Sequence, residues 1–312
     1  MAHPREKYWQ SRSGKEQARA VHQALEQGAG LDGLDLSKVN GRWDLDGFRF
    51  PDEVPRDAAG RIWLHGVSVD GVSFRGAKID GLALQKSTIL GCDFENASCR
   101  NWGVWSSSIE STSFQGVDLR GSTFGYVEEG IPNALKDVIF DNSRLMDCVL
   151  NSVVFYSCRL RGVDIIDMDI KACSFIDCEF EGNILDSTID GRHLAGRPFR
   201  PEVRGSDFSK ARIRETEIIG YKLDQVSFNP SEVEVFKNGK ATIDALDGIL
   251  GDSDRDAGAR ALKGWAKYRN GLLRDLLSPE DILFIPSNFA RIFEDPELVR
   301  RALSQANDLT DI

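Results

Sequence analysis

Four histidines, six cysteines and forty-nine carboxylates are the groups in this 312-residue chain that have chemistry to offer. His3, His22, His65 and His193 are scattered, with none at the spacing of a nucleophile and its base or of metal ligands. The sequence carries no phosphate-binding glycine loop, dinucleotide turn or zinc signature. Asp147, Asp164 and Asp167 with Arg161 have the make-up of a polysaccharide-cleaving site on a β-helical enzyme. A carboxylate every few residues is equally the solvated face of a repeat, so the reading is of a protein that is not an enzyme. It predicts no catalytic residue, no metal and no cofactor.

The carboxylates are unevenly placed. Over residues 125–190 thirteen acidic residues, Glu128 and Glu129 among them, face five basic ones. Over residues 191–222 the sign reverses, with eight basic residues, Arg192 and Arg197 among them, against four acidic. An acidic band therefore sits beside a basic segment in a chain of formal net charge −10.

What must position these groups is a repeat. From Leu64 through Val69 and Phe74 to Phe124, an apolar residue falls at every fifth position, thirteen times without a miss. At 41% apolar composition such a run arises by chance about once in a hundred thousand sequences. The count resumes out of register from Phe140 to Leu185, and again from Phe208 to Phe228. A period of five fits neither a helix nor an alternating strand, so the chain must turn a corner at each pentad. Two residues before each central position sits a small one, such as Ser87, Cys92, Ser107 or Thr112, sized to fill a narrow interior.

Phe74, Phe94 and Phe114 are twenty apart, as are Phe155 and Phe175. Four pentads thus make one square turn, and residues twenty apart stack at the parallel-strand spacing of about 4.8 Å. Folding the band onto four faces puts Asp147 above Asp167, with Asp164 and Asp186 on one face and only Arg144 opposing them.

The pentads Ala77-Lys78-Ile79-Asp80-Gly81, Val117-Asp118-Leu119-Arg120-Gly121, Cys158-Arg159-Leu160-Arg161-Gly162 and Ser206-Asp207-Phe208-Ser209-Lys210 resemble the pattern of the pentapeptide-repeat family: small, polar, Leu or Phe, polar, polar. The resemblance implies an all-β solenoid, a right-handed quadrilateral parallel β-helix. Distantly, it is to members that confer quinolone resistance or protect topoisomerases, which implies a protein partner such as DNA gyrase or another DNA-binding protein. In those members loops protrude from the coil and a terminal helix pairs two rods, which implies a homodimer.

Three regions follow. Residues 1–62 read as an N-terminal helix, capped by Ser13, and a degenerate first coil with Leu34, Leu36, Trp43, Leu45, Phe48 and Phe50. Residues 63–230 are the β-helix, and 231–312 an α-helical C-terminal module. That module shows Leu262, Trp265, Tyr268 or Arg269, Leu272 and Leu276 on one helix face, with Ser278-Pro279-Glu280 and Asp295-Pro296-Glu297 as helix starts. The coil is broken near 125–135, where the sixteen-residue step from Phe124 to Phe140 reads either as one inserted residue or as an extruded loop of about eleven; keeping the coil puts Leu135 between Phe114 and Phe155, which favours the single insertion. It breaks again near 186–205, in an arginine-rich stretch.

Five of the six cysteines take the small inward position and Cys99 a central one, so they read as buried filler thiols. There is no apolar stretch of membrane length, and residues 1–10 are polar, which predicts a soluble cytoplasmic protein that binds neither membrane nor nucleic acid directly. Two functions remain. In one, Asp147, Asp164, Asp167, Asp186, Glu128 and Glu129 imitate the phosphates of duplex DNA, flanked by Arg192 and Arg197. In the other, the rod is a rigid scaffold whose helical C-terminal module recruits a protein.

Overall fold

The computed structural model describes residues 4–125, 131–192, 200–223, 225–250, 257–273, 281–290 and 296–308. Within these, the chain winds into a four-sided parallel β-solenoid, one pentad to a side. The first side is an eight-stranded sheet running from Ile62–His65 to Glu217–Ile219, and the second a seven-stranded sheet from Ser68–Asp70 to Val203–Arg204. The third and fourth sides are held by single bridges such as Ser73 to Asp93 and Ser98 to Asp118. Further along, the strands Arg159–Ile166, Glu179–Leu185 and Asp207–Arg214 run along both of those sides.

Central residues stack in register: Leu64 on Leu84 on Val104 along the first side, and Val69 on Ile89 on Ile109 along the second. On the third side the rings of Phe74, Phe94, Phe114 and Phe140 stack in near-parallel steps of 5.0, 4.9 and 5.5 Å. These columns are buried and form one continuous apolar core. Stacked aromatic pairs contribute about 0.5–1.5 kcal/mol each beyond their area.

The small inward residues do more than fill space. Ser87 Oγ accepts the N–H of Val67, Ser107 Oγ that of Ser87, and Ser122 Oγ that of Trp102. At these corners the ladder is interrupted, and a hydroxyl from the next turn takes up the N–H that would otherwise be buried without a partner, whereas Ala77, Ala97 and Val117 bond back to Phe74 O, Phe94 O and Phe114 O. Ser and Thr are therefore selected by hydrogen bonding as well as by volume. The cysteines are buried free thiols, and Cys92, Cys148 and Cys173 are pushed up to about 12 chiefly by desolvation.

Two register expectations are corrected. Leu135 pairs with Ile109 below and Phe155 above, and Phe114 lies under Phe140 instead. The step from Ile109 to Leu135 is six residues longer than a turn, so six residues are inserted at the corner after Phe124 rather than one. Buried Asn133 re-founds the coil there: its Oδ1 accepts Ser107 N–H at 2.9 Å and its Nδ2 donates to Val104 O at 2.6 Å. Further on, the central residue of the fourth side is Ile184, paired with Ile165, and not Leu185. One residue has been dropped at Gly182, which faces Val163 at φ +144°.

The N-terminal helix Arg12–Glu26 buries Ala18, Val21 and Leu25 and is capped by Ser11, whose side chain accepts Gly14 N–H at 3.1 Å. Ser13 is thus not the cap. Gly14 packs so close to Tyr8 O that a Cβ there would sit 2.0 Å away. Trp43 and Asp44 pair in parallel with Val72 and Ser73, forming the degenerate first turn. After Phe228 come the helices Gly239–Leu250, Ala257–Leu273, Pro286–Ala290 and Pro296–Asp308 around a second apolar cluster with Phe236, Leu246, Leu262 and Leu303. Pro296 opens its helix as expected, while Asp295, Leu276 and Ser278 to Glu280 lie outside the described residues. On Ala257–Leu273, Leu262 and Arg269 are buried and Tyr268 is exposed. Among the described residues no helix is long and apolar enough to cross a membrane.

Candidate partner-binding surface

The corner between the fourth and first sides is turned, in successive coils, by Gly81, Asn101, Gly121, Asp147, Asp167, Asp186 and Glu215, all with φ between +49° and +72°. Left-handed backbone favours Gly, Asn and Asp, whose short polar side chains tolerate it. That preference explains why an aspartate fits this corner. It does not explain why four consecutive coils use a carboxylate where the first three use Gly or Asn, and Glu215 has no such conformational preference. The dropped residue at Gly182 matters here, because it brings Asp186 into line with Asp167. Spacing by twenty alone sets Asp186 one place out of this column.

Asp147 and Asp167 are exposed, and no ion pair to either is present among the described residues. Arg120, one coil below Asp147, is committed to Asp118 through bonds of 2.8 and 2.7 Å. Asp164 lies on the fourth side, in register with Asn183, whose Nδ2 donates to it at 2.7 Å. It is a neighbour of the corner column, not a member. Asp186 is exposed and takes part in interactions of its own. Glu128, Glu129 and Arg197 lie outside the described residues.

Much of the rest of the band is neutralised internally. Arg159 grips Asp141, Arg161 grips Glu179 with Lys210 close by, and Lys171 pairs with Asp169. Arg192 closes a bidentate pair on Asp190 at 2.9 and 2.6 Å, so its charge is directed inward. Arg161 is likewise taken, with bonds of 3.0 and 2.7 Å to Glu179, which holds that carboxyl below its ordinary range. The arginine of the imagined polysaccharide site is thereby occupied. Asp118 is held well below the usual aspartate range by its hydrogen bonds to Arg120 and Arg100.

Beside the corner acids stand exposed apolar side chains: Met146 at 58%, Val149 at 50% and Ile166 at 41%. Met146 and Ile166 immediately precede Asp147 and Asp167, so a column of hydrocarbon runs beside the column of carboxylates. Glu215 was not legible as part of the surface from the sequence, because its register depends on the deletion at Gly182 and on the 29-residue step from Asp186.

The geometry defines a solenoid of pentapeptide repeats. No family model and no curated protein matches the chain. Among solved structures it is similar to a trypsin-treated variant of QnrB1, a plasmid-mediated fluoroquinolone resistance protein, at 15% identity and TM-score 0.36 over 56% of this chain and 77% of that one. It is similar also to HetL, a pentapeptide-repeat protein involved in heterocyst differentiation regulation from Nostoc sp. strain PCC 7120, at 16% identity and TM-score 0.27 over 55% and 94%. Rfr23, a pentapeptide-repeat protein from Cyanothece 51142, matches at 17% identity and TM-score 0.27 over 32% and 82%.

Proposed function

We propose that this chain is a non-enzymatic binding protein whose acidic corner occupies the DNA-binding groove of a DNA-handling protein. The observation that carries the reading is the column Asp147, Asp167 and Asp186. Three carboxylates in successive coils stand at one edge in a backbone conformation that Asn or Gly would serve as well. Their rise of about 4.8 Å per coil compares with one phosphate per about 3.4 Å along a DNA strand, dense enough to meet a row of lysines and arginines spaced for phosphates. Met146, Val149 and Ile166 add desolvatable surface that DNA lacks, which favours a protein groove over bulk counterions.

The partner we propose is DNA gyrase or a related type II topoisomerase, the target implied by the family resemblance of the pentads. A displacement titration tests it. Fluorescein-labelled duplex bound to gyrase is titrated with this protein, and mimicry requires the anisotropy to fall to that of free DNA. A titration that leaves the complex intact removes the reading. The competition must weaken as salt rises from about 50 to 200 mM, since it depends on screened charge.

A further inference from the structure

Strand Ser68–Asp70 pairs on one side with Thr88–Leu90 and on the other ends the seven-stranded sheet. Thr88 donates its N–H to Val67 O and Gly71 its N–H to Leu90 O, so Val67, Val69 and Gly71 face that neighbour. Parallel pairing turns the backbone N–H and C=O of Ser68 and Asp70 the other way. Among the described residues no hydrogen bond reaches these four groups. The degenerate first turn explains why. Trp43 lies 29 residues before its partner Val72, so residues 39–41 are due beneath Ser68–Asp70. Instead Asn40 and Gly41, at φ +50° and +79°, turn the chain back, and Lys38 pairs antiparallel with Trp43. A hairpin stands where the missing strand would run, and the sheet edge is left unpaired.

Under this edge lies a cavity of about 480 Å³, within the roughly 300–1,000 Å³ of sites that hold ligands. Its walls fix the chemistry of an occupant. Buried Leu25 and Leu31 border it beside Val69, the first residue of the inward column Val69, Ile89 and Ile109. An incoming strand must therefore be apolar at its inward position. Asp70 and Asp32 also stand on the walls, both exposed, and neither side chain has an ion pair or hydrogen bond among the described residues. Lys38, the cation on these walls, is held over the Trp43 ring at 4.0 Å. The cross-strand neighbour that complements Asp70 is thus a lysine or arginine. The unpaired edge itself asks for main-chain amides and carbonyls.

We propose that the Ser68–Asp70 edge takes a short extended segment of a partner protein, which supplies the strand that the hairpin at Asn40 and Gly41 withholds. The segment pairs its backbone with Ser68 and Asp70, sets an apolar residue against Val69, Leu25 and Leu31, and places a lysine or arginine beside Asp70. This site lies on the first complete coil, and shares no residue with the acidic corner of Asp147, Asp167 and Asp186.

The test is fluorescence anisotropy on the full chain with three labelled hexapeptides: alternating valine and lysine, alternating valine and glutamate, and the lysine peptide N-methylated at alternate amides. The lysine peptide is expected to bind, with the other two weaker by about tenfold or more. Ser68→Pro removes an edge-facing N–H that the sheet does not use. It is expected to weaken the lysine peptide about fivefold with unchanged circular dichroism. Asp70→Asn, at an exposed position, is expected to weaken it about threefold. A variant with Asp147, Asp167 and Asp186 all changed to Asn is expected to bind it as the parent does. Lack of binding, equal binding of either control peptide, indifference to Ser68→Pro or to Asp70→Asn, or loss in the triple variant would each overturn the proposal. Failure here leaves the gyrase competition untouched, because that experiment reads the acidic corner.

Discussion

Asp186 lies in line with Asp167 across one coil although only nineteen residues separate them. The residue missing from the turn is missing at Gly182, whose φ of +144° and closeness to Val163 O, 2.1 Å from an added Cβ, admit no side chain. A local backbone feature on one corner thereby sets the alignment of carboxylates on the next.

Gly182→Ala is accordingly expected to destabilise the fold by about 2 kcal/mol or more, through combined strain and a backbone clash. Urea denaturation reads this as a lowered midpoint at unchanged slope. A midpoint equal to the parent's would show that the tight corner is dispensable.

Asn133 is the joint at which the coil restarts after the six-residue insertion. Asn133→Ala removes one acceptor and one donor from buried backbone partners at Ser107 and Val104. The expected loss is about 2 kcal/mol or more, measured by the same denaturation. Hydrogen exchange at the Ser107 amide is expected to accelerate in this variant. An unchanged exchange rate there would mean that the side chain does not bear on the ladder.

Asp118 gives the fold a pH dependence. Its carboxyl lies below its ordinary 3.8 because Arg120 and Arg100 hydrogen-bond the charged form. A depressed value of this kind contributes stability that is fully present above about pH 4, and the contribution is lost as pH falls toward the folded-state value. The melting-temperature gap between the parent and Asp118→Asn is therefore expected to be constant from pH 8 to 5 and to close below about pH 3. A gap that widens on acidification contradicts the assignment.

The cysteines offer a test of burial. All six are free and buried, and Cys92, Cys148 and Cys173 are pushed up to about 12. Ellman's reagent at pH 8 is expected to find no reactive thiol in the native protein and all six in guanidinium chloride. Rapid native labelling of any of the six would mean that the coil opens.

The pentad count made the four-sided coil and its Phe columns legible, because each central residue is apolar and each corner is spelled by a short side chain. Its failures have a common cause. Ile184 and Leu185 are both apolar, so counting could not detect the residue dropped at Gly182. Leu135 fits a column under either reading of the sixteen-residue step. The acidic band was visible, but its sorting was not: Arg159, Arg161 and Arg192 neutralise carboxylates whose positions depend on register. The cavity beneath Ser68 and Asp70 joins them to Leu25 and Asp32, more than thirty positions away, a juxtaposition that no local pattern records.

The claim that the corner column acts through charge is tested most directly by gyrase supercoiling in the presence of the triple variant with Asp147, Asp167 and Asp186 changed to Asn. Asn keeps the left-handed corner, as Asn101 does, so the fold is retained while three charges are removed. The parent protein is expected to inhibit supercoiling and the variant to require a concentration about tenfold higher or more. Equal inhibition by parent and variant, or none by the parent, contradicts mimicry through this corner.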